Sequence, residues 1–408
     1  MKNSKKYFAS SVACLLMASV MSTANASCGV TECDVTNYSG TDTQKFAAAI
    51  SDALLSTTPD VVYIPNGTYS VGSLAIPGDS AGNLNLTIRG QSDTGVIINH
   101  VPTVVGSAYR APFDVERSGQ FNDVDLIFER FTLDMTAFRS LSDFTNPSGT
   151  TTPVTAAHGI RVGAGYSTGG MEFRELRINN SPGYGIGIQL SGNDKNADNV
   201  VIDRVHIENA GFDGVDTKSP SIDGGGRLNR NITILNLTVK EVGQNDTGAA
   251  VGLDLRYEDI YVRGYSFASE PTPTSPADGS PIDTNPDPVR TSGLVLRQMA
   301  SAGDSVPAPA NDGIIRQVHV TEGSSGVTFE TGTSDVDFKL NLISGTNAYG
   351  LTVLNTDSMT LRSGCVYNWT GVGKFLLGNT NLTDLMADFY GPLCPTTSQV
   401  GSSYNKPF

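Results

Sequence analysis

The chain has 408 residues, with 27 Lys+Arg against 41 Asp+Glu and a formal net charge of −14. At 38% hydrophobic and 17% charged it can bury a large core, which excludes disorder as the default. The acidic balance excludes a general nucleic-acid binder, which needs a basic face. Past the N-terminus no apolar run is long enough to cross a bilayer, so no membrane partner is expected.

In chain order, Lys2, Lys5 and Lys6 precede an apolar run over Val12–Met17, and Ala24-Asn25-Ala26 offers small residues at a cleavage site. This pattern predicts a secretory signal peptide over residues 1–26 and a periplasmic or secreted protein. Removing its three lysines takes the net charge from −14 to −17. Cys28, Cys33, Cys365 and Cys394 remain, and sequence proximity favours the pairs Cys28–Cys33 and Cys365–Cys394.

One amphipathic helix is expected next. Thr41 and Gln44 form a capping box, and Phe46, Ile50 and Leu54 recur every four residues. Val61–Ile64 and Gly67–Tyr69 then read as two strands around Pro65-Asn66. Beyond them two strand types alternate. The first opens with glycine and alternates aliphatics: Gly159-Ile160-Arg161-Val162, Gly185-Ile186-Gly187-Ile188, Gly214-Val215-Asp216-Thr217, Gly252-Leu253-Asp254-Leu255, Gly293-Leu294-Val295-Leu296, Gly326-Val327-Thr328-Phe329 and Gly350-Leu351-Thr352-Val353. The second falls between them: Met171–Asn179, Val200–Glu208, Ile232–Val239, Ile260–Tyr265, Ile314–Val320, Val336–Ile343 and Met359–Val366. Asn179-Asn180 and Asn209 close such strands, where turns or stacked Asn ladders are expected.

Repeats of this size built from short strands predict a solenoid. The fold class is all-β: a single-stranded right-handed parallel β-helix with an N-terminal capping helix. Residues 27–408 are read as one domain, with the cap at about 35–60, coils at about 61–370 and a C-terminal tail at about 371–408. A β-sandwich also uses many short strands but does not explain a glycine-aliphatic unit recurring in phase. Phe138–Pro153 and the proline-rich Ser266–Thr291 break the rhythm and are expected to be loops walling a groove.

Aligning the first-type strands on their glycines gives a register. Positions one and three past the glycine face the core; positions two and four point outward. Down successive coils the second position reads Arg161, Gly187, Asp216, Asp254, Val295, and the fourth reads Gly163, Gln189, Lys218, Arg256, Arg297. The residues before the glycine are His158, Tyr184, Asp213, Val251 and Ser292. One surface strip thus gathers Asp213, Asp216, Asp254, Lys218, Arg256, Arg297, Tyr184, Gln189 and His158, with rungs about 4.8 Å apart, suited to an extended glycan. The bland reading is a solvated ladder of charges that neutralise one another. Against it, the later outward positions Thr328, Thr352 and Asn355 are uncharged. His206, in Val205-His206-Ile207, is either a strand histidine or a site residue; His319 is weaker and His100 lies outside the repeat. No His pair has metal-ligand spacing. Asp213, Asp216 and Asp254 could coordinate calcium, though no Asp-rich loop of binding spacing is present.

The signal peptide, capping helix, Pro65-Asn66-Gly67-Thr68-Tyr69, the repeated coils and Phe212-Asp213-Gly214-Val215-Asp216-Thr217-Lys218-Ser219 together resemble the pectin-lyase-like superfamily of polysaccharide-active β-helices. Within it, Tyr184 and Lys218 are similar to the Tyr/Lys arrangement of the β-helical alginate lyases of polysaccharide lyase family thirty-one. The same segment is also similar to the acidic region of polygalacturonases, without that family's other motifs. The resemblance implies a lyase that cleaves a uronic-acid polymer such as alginate by β-elimination, with Lys218 as base and Tyr184 as acid. Arg256 would pair with the substrate carboxylate; Asp213, Asp216, Asp254, Gln189, Arg297, His158 and His206 would line the substrate path. No cofactor is required on this reading, calcium being an option, and the partner is an anionic polysaccharide met by a monomer. The alternatives are a uronate C5-epimerase, a glycoside hydrolase using the three aspartates, and a non-catalytic glycan-binding β-helix.

Overall fold

The computed structural model describes residues 28–29, 32–55, 60–77, 83–105, 108–115, 123–140, 157–163, 170–188, 197–218, 229–243, 249–268, 290–297, 311–321, 325–330, 333–339, 342–344, 349–362, 365–367, 372–379 and 381–385. The signal peptide at 1–26, Gln189 and Cys394 lie outside the described residues. Two long parallel sheets run through the molecule, one of 20 strands and one of 10. The fold is the expected parallel β-helix.

The ten-stranded sheet stacks its members strictly in chain order, from Leu74–Ile76 through Phe113–Val115, Ile160–Val162, Ile186–Ile188 and Val215–Thr217 to Val372–Leu377. Its register is the one the glycines predict: Arg161 lies over Gly187, Gly187 over Asp216, Asp216 over Asp254 and Asp254 over Val295. Positions one and three past the glycine fill the core, as with Ile186, Ile188, Val215, Leu253, Leu255, Leu294 and Leu296. The glycine itself is there for space, because the backbones of adjacent coils converge at this point. A Cβ on Gly214 would stand 2.5 Å from the Gly252 carbonyl oxygen and 2.6 Å from a Val239 methyl, and one on Gly185 would stand 2.6 Å from the Gly214 oxygen. The same clash repeats from Gly159 to Gly326.

The second-type segments belong to the 20-stranded sheet, and several are bent where the period-two pattern reads straight. Val200–Asp203 and His206–Glu208 are separate strands joined at Arg204, whose φ is 52°. The rungs on either side turn at Glu175 (φ 51°) and Asn236 (φ 51°). The left-handed conformation lets each strand wrap from one face of the coil to the next. A second corner carries the expected ladder: Asn180 and Asn209 both have positive φ, and the Asn209 amide donates to Asn180 Oδ1 at 3.1 Å.

At the N-terminal end, α1 (Asp42–Leu55) begins with the reciprocal capping box, the Thr41 N–H donating to Gln44 Oε1 and the Gln44 N–H to Thr41 Oγ1. Its buried face of Phe46, Ala49, Ile50 and Ala53 joins the core beside the first strands. Cys28 and Cys33 form a disulfide; the pairing of Cys365 with Cys394 lies outside the described residues. Three boundaries differ from the sequence reading. Phe138 does not open a loop: it sits in a 3-10 turn over Thr136–Ser140, fully buried and stacked on His100. Ser266–Ala268 and Arg290–Thr291 are strand rather than loop, with Phe267 in the core. Parallel strands also continue to Leu385, past residue 370. Among the described residues no helix is long and apolar enough to cross a membrane.

The glycine column gives a direct expectation. Gly214→Ala should lower stability by about 1–3 kcal/mol, because the added carbon meets backbone that cannot move without shifting a rung. Gly313→Ala, whose added carbon first meets a Val336 methyl at 3.1 Å, should cost less. Urea denaturation midpoints check the order; equal losses would remove the steric account of the repeat.

Candidate functional site

The site grows from three consecutive rungs of the ten-stranded sheet. Asp216 and Asp254 occupy the same outward position on adjacent strands, and Asp213 stands at the bend before Gly214. Each of the three offers a carboxylate oxygen within 4.8 Å of the others. Asp213 is half-buried as a residue while its carboxylate is enclosed, its Oδ1 accepting the Val251 N–H at 2.7 Å. The sequence reading pointed these acids outward on a surface strip; the structure corrects their depth, since Asp216 is 2% and Asp254 3% exposed. Neighbouring side chains from the next outward position lie over them.

Those neighbours are the cations. Lys218 Nζ is 3.9 Å from Asp216 Oδ2. Arg256 Nη2 and Arg297 Nε both reach Asp254 Oδ2, at 3.2 and 3.1 Å. Their side chains stay accessible, 43% exposed for Lys218, 22% for Arg256 and 32% for Arg297. The site is therefore layered, with acids beneath and cations above. Burial, reinforced by the charge of Asp254 and opposed by Lys218, Arg256 and Arg297, pushes the Asp216 carboxyl up to about 6. Burial together with Asp216 and Asp254 raises Asp213 well above the usual carboxylate range. Asp254 is raised by burial against the pull of its two arginines.

An aromatic wall borders this layer. The Tyr184 ring stacks on His158 at 4.8 Å and meets the Phe212 ring at a tilt, 5.6 Å between centroids, and Lys218 Nζ lies 5.7 Å from its centroid. His158 Nδ1 accepts the Tyr184 N–H at 3.0 Å, which orients the imidazole. The structure thus brings together Lys218, Tyr184, His158, Asp213, Asp216, Asp254, Arg256 and Arg297. His206 is not among them. It lies on the 20-stranded sheet between Arg177 and Thr238, 3.3 Å from Glu208.

Four residues that the sequence reading missed belong to the same construction. Asp114 lies under Arg161 in register and pairs with its Nη1 at 3.0 Å, extending the outward column by a rung; Phe113-Asp114-Val115 has no opening glycine to flag it. Glu330 occupies the fourth position past Gly326 and meets Arg297 Nη1 at 3.4 Å, so this position is charged on a coil read as bland. Thr217 Oγ1 donates to the Asp254 carbonyl at 2.9 Å and accepts the Arg256 N–H at 3.1 Å. Buried Asn229 donates to the carbonyls of both Lys218 (3.3 Å) and Arg256 (3.2 Å) while accepting the Ala197 N–H. No periodicity points to a residue in that linking role.

Calcium can be tested against this donor set. Three carboxylates would suit a hard cation, and Asp216 Oδ2 and Asp254 Oδ1 are buried without a hydrogen-bond partner. Yet Lys218 already reaches Asp216, and Arg256 and Arg297 both reach Asp254. A divalent ion at these oxygens would have to compete with the lysine and the two arginines for them.

Residues 30–265, more than half of the chain, match the family described as "Rhamnogalacturonase A/epimerase, pectate lyase-like". No curated protein matches the sequence. Among solved structures, the chain is similar to the A-module of the mannuronan C-5 epimerase AlgE4 of Azotobacter vinelandii, with a TM-score of 0.53 at 13% identity over 88% of this chain and 98% of that one. The AlgE6 A-module of the same organism gives 0.45 at 15% identity, covering 88% and 96%. The catalytic unit of a GH87 alpha-1,3-glucanase from Streptomyces thermodiastaticus strain HF3-3 gives 0.47 at 14% identity, covering 94% and 73%. At these identities the likeness is one of fold.

The buried acids predict a pH dependence of stability. Folded Asp216 keeps its proton up to about pH 6, whereas its ordinary value is 3.8. Between these values the folded state binds more protons than the unfolded one, so stability falls as pH rises from about 4 to 6 and then levels off. For a shift of this size the change is on the order of 1–3 kcal/mol. Asp216→Asn should flatten this slope in denaturant unfolding at pH 4–7; an unchanged slope would mean Asp216 titrates normally.

Proposed function

Because the chain belongs to the rhamnogalacturonase A/epimerase, pectate lyase-like family, we propose that it is an exported, monomeric polysaccharide-active enzyme that cleaves a uronic-acid polymer by β-elimination. The observation that carries this reading is the layering of the site: the accessible groups are Lys218, Arg256, Arg297 and Tyr184, while Asp216 and Asp254 lie buried beneath. A site that meets its substrate with cations suits an anionic sugar. Alginate is the first substrate to try, given the resemblance of the Tyr184 and Lys218 arrangement to the β-helical alginate lyases.

Elimination needs neutralisation of the C5 carboxylate, a base for the C5 proton and an acid for the departing 4-oxygen. Asp254 holds two guanidinium forks side by side, and each keeps N–H donors beyond those it spends on the aspartate. They are suited to clamp a carboxylate bidentately. Lys218 takes the C5 proton as that carboxylate is neutralised, and Tyr184 gives a proton to the 4-oxygen. The C4–O bond breaks as the C4–C5 double bond forms. His158, stacked on the tyrosine ring, holds it in place. C5 epimerisation begins with the same proton abstraction, and proton NMR of a mannuronan digest would reveal it as altered residue composition without chain shortening.

A second reading rests on a specific observation. Asp216, pushed up to about 6, is a suitable general acid, and the carboxylate oxygens within 4.8 Å approach the spacing of retaining glycosidases, about 5–5.5 Å. Hydrolysis gives new reducing ends without the ultraviolet absorbance of a 4,5-unsaturated sugar, so a panel of alginate, pectate and glycosaminoglycans separates the two reactions. On the elimination reading Lys218→Ala should lose about 10²–10⁴-fold in turnover while the chain still folds. Tyr184→Phe should do the same, and the double variant should be little worse than the poorer single one. A folded Lys218→Ala that keeps most of its activity would return the charged column to a solvated ladder.

A further inference from the structure

A second charged feature lies on the 20-stranded sheet, away from the aspartate cluster. One outward column of that sheet runs in register through Arg89, Glu129, Arg174, Asp203, Leu235, Arg263, Arg316, Lys339 and Arg362. In its first half the signs alternate; Arg89 pairs with Glu129 in the column at 3.4 Å, and Arg174 pairs with Glu172 of its own strand at 2.8 Å. After Leu235 the alternation stops. Arg263, Arg316, Lys339 and Arg362 stack four cations on consecutive rungs, about 4.8 Å apart.

Like charges directly opposite one another on adjacent strands are destabilising, so folding alone gives no reason for this run in so acidic a chain. The acids do not compensate it. Asp337 serves both Lys339 at 3.8 Å and Arg362 at 3.1 Å. Among the described residues Arg263 donates to the neutral Gln317, at 3.1 Å, and has no ion-pair partner. Arg316 has no ion-pair partner among the described residues, and its Nε is buried without an acceptor. Beside these two arginines, in the adjacent outward column, stand Tyr261 and Ile314, the latter 36% exposed. Guanidiniums without an acidic partner among the described residues, flanked by an aromatic ring and an aliphatic surface, offer an acidic sugar both of the contacts it needs: a fork for the carboxylate and an apolar face for the ring.

We propose that this strip is a second glycan site, which holds an acidic polysaccharide along the solenoid axis at Arg263 and Arg316, with Tyr261 against a sugar ring. The assignment does not depend on the chemistry at Lys218, and its test reads binding without turnover. The full chain carrying Lys218→Ala is run in native gels containing alginate, dextran or duplex DNA, alone and with Arg263→Gln and Arg316→Gln added. Losing two exposed ion pairs should weaken alginate retardation about fivefold and reduce its sensitivity to salt. Arg263→Lys with Arg316→Lys should restore much of it, and dextran should retard none of the variants. Should the double glutamine variant fold poorly, Arg263→Gln alone, at an exposed residue, reads the same effect. Equal alginate retardation with and without the two arginines, or retention by DNA as strong as by alginate, would overturn the proposal.

Discussion

The close approach of backbone to backbone at the strand-opening glycines is the constraint on which the rest of this molecule depends. From Gly159 to Gly326, the space a Cβ would need is taken by the carbonyl oxygen of the next glycine in the column. A side chain there would push the coils apart. With hydrogen there, the rungs lock in one register, and every outward residue falls into a column with its counterparts on neighbouring coils. Asp216 stands over Asp254 for this reason, and the cations two residues on stand beside one another for the same reason.

From that register the electrostatics of the site follow. Burial beneath a cover of longer side chains is unfavourable for ionised carboxylates, and for Asp213 and Asp216 the neighbouring aspartates add to it, which is why Asp213, Asp216 and Asp254 all hold their protons more tightly than usual. The arrangement persists because Lys218, Arg256 and Arg297 supply opposite charge from above. Each side fixes the other: the acids hold the lysine and the guanidiniums upright, and Thr217 and Asn229 tie the backbones that carry them. Preorganised cations of this kind do not have to be assembled when charge develops on a substrate.

Much of this was legible in the sequence because period two and a repeated glycine encode the register directly. The capping box at Thr41 and Gln44, the inward aliphatics and the pairing of Asp216 with Asp254 all came from local pattern. What pattern could not give was depth. Alternation says which way Asp216 points, but not that Lys218 and its neighbours cover it to 2% exposure. Nor does it say where a strand bends or which sheet it joins: Arg204, with φ 52°, turns the chain between Val200–Asp203 and His206–Glu208, and His206 lies on the large sheet rather than on the ten-stranded one that carries the aspartates. Asp114 escaped because its strand lacks the glycine on which the alignment was built, and Asn229 because it acts through backbone carbonyls from outside the repeat. The four-cation run from Arg263 to Arg362 belongs to the second strand type, whose outward positions become columns only once the bends are known.

The central claim is that a cationic layer, held by buried acids, receives the carboxylate of a uronic sugar. Calorimetric binding of a uronate oligosaccharide to the Lys218→Ala protein tests it most directly, set against the same oligosaccharide with its carboxylates reduced to alcohols. With Arg256 and Arg297 still in place, the account predicts that the charged sugar binds at least about tenfold more tightly, the equivalent of about 1.4 kcal/mol, and that this advantage shrinks as salt is added. Equal affinity for the charged and the reduced sugar at low salt would contradict it.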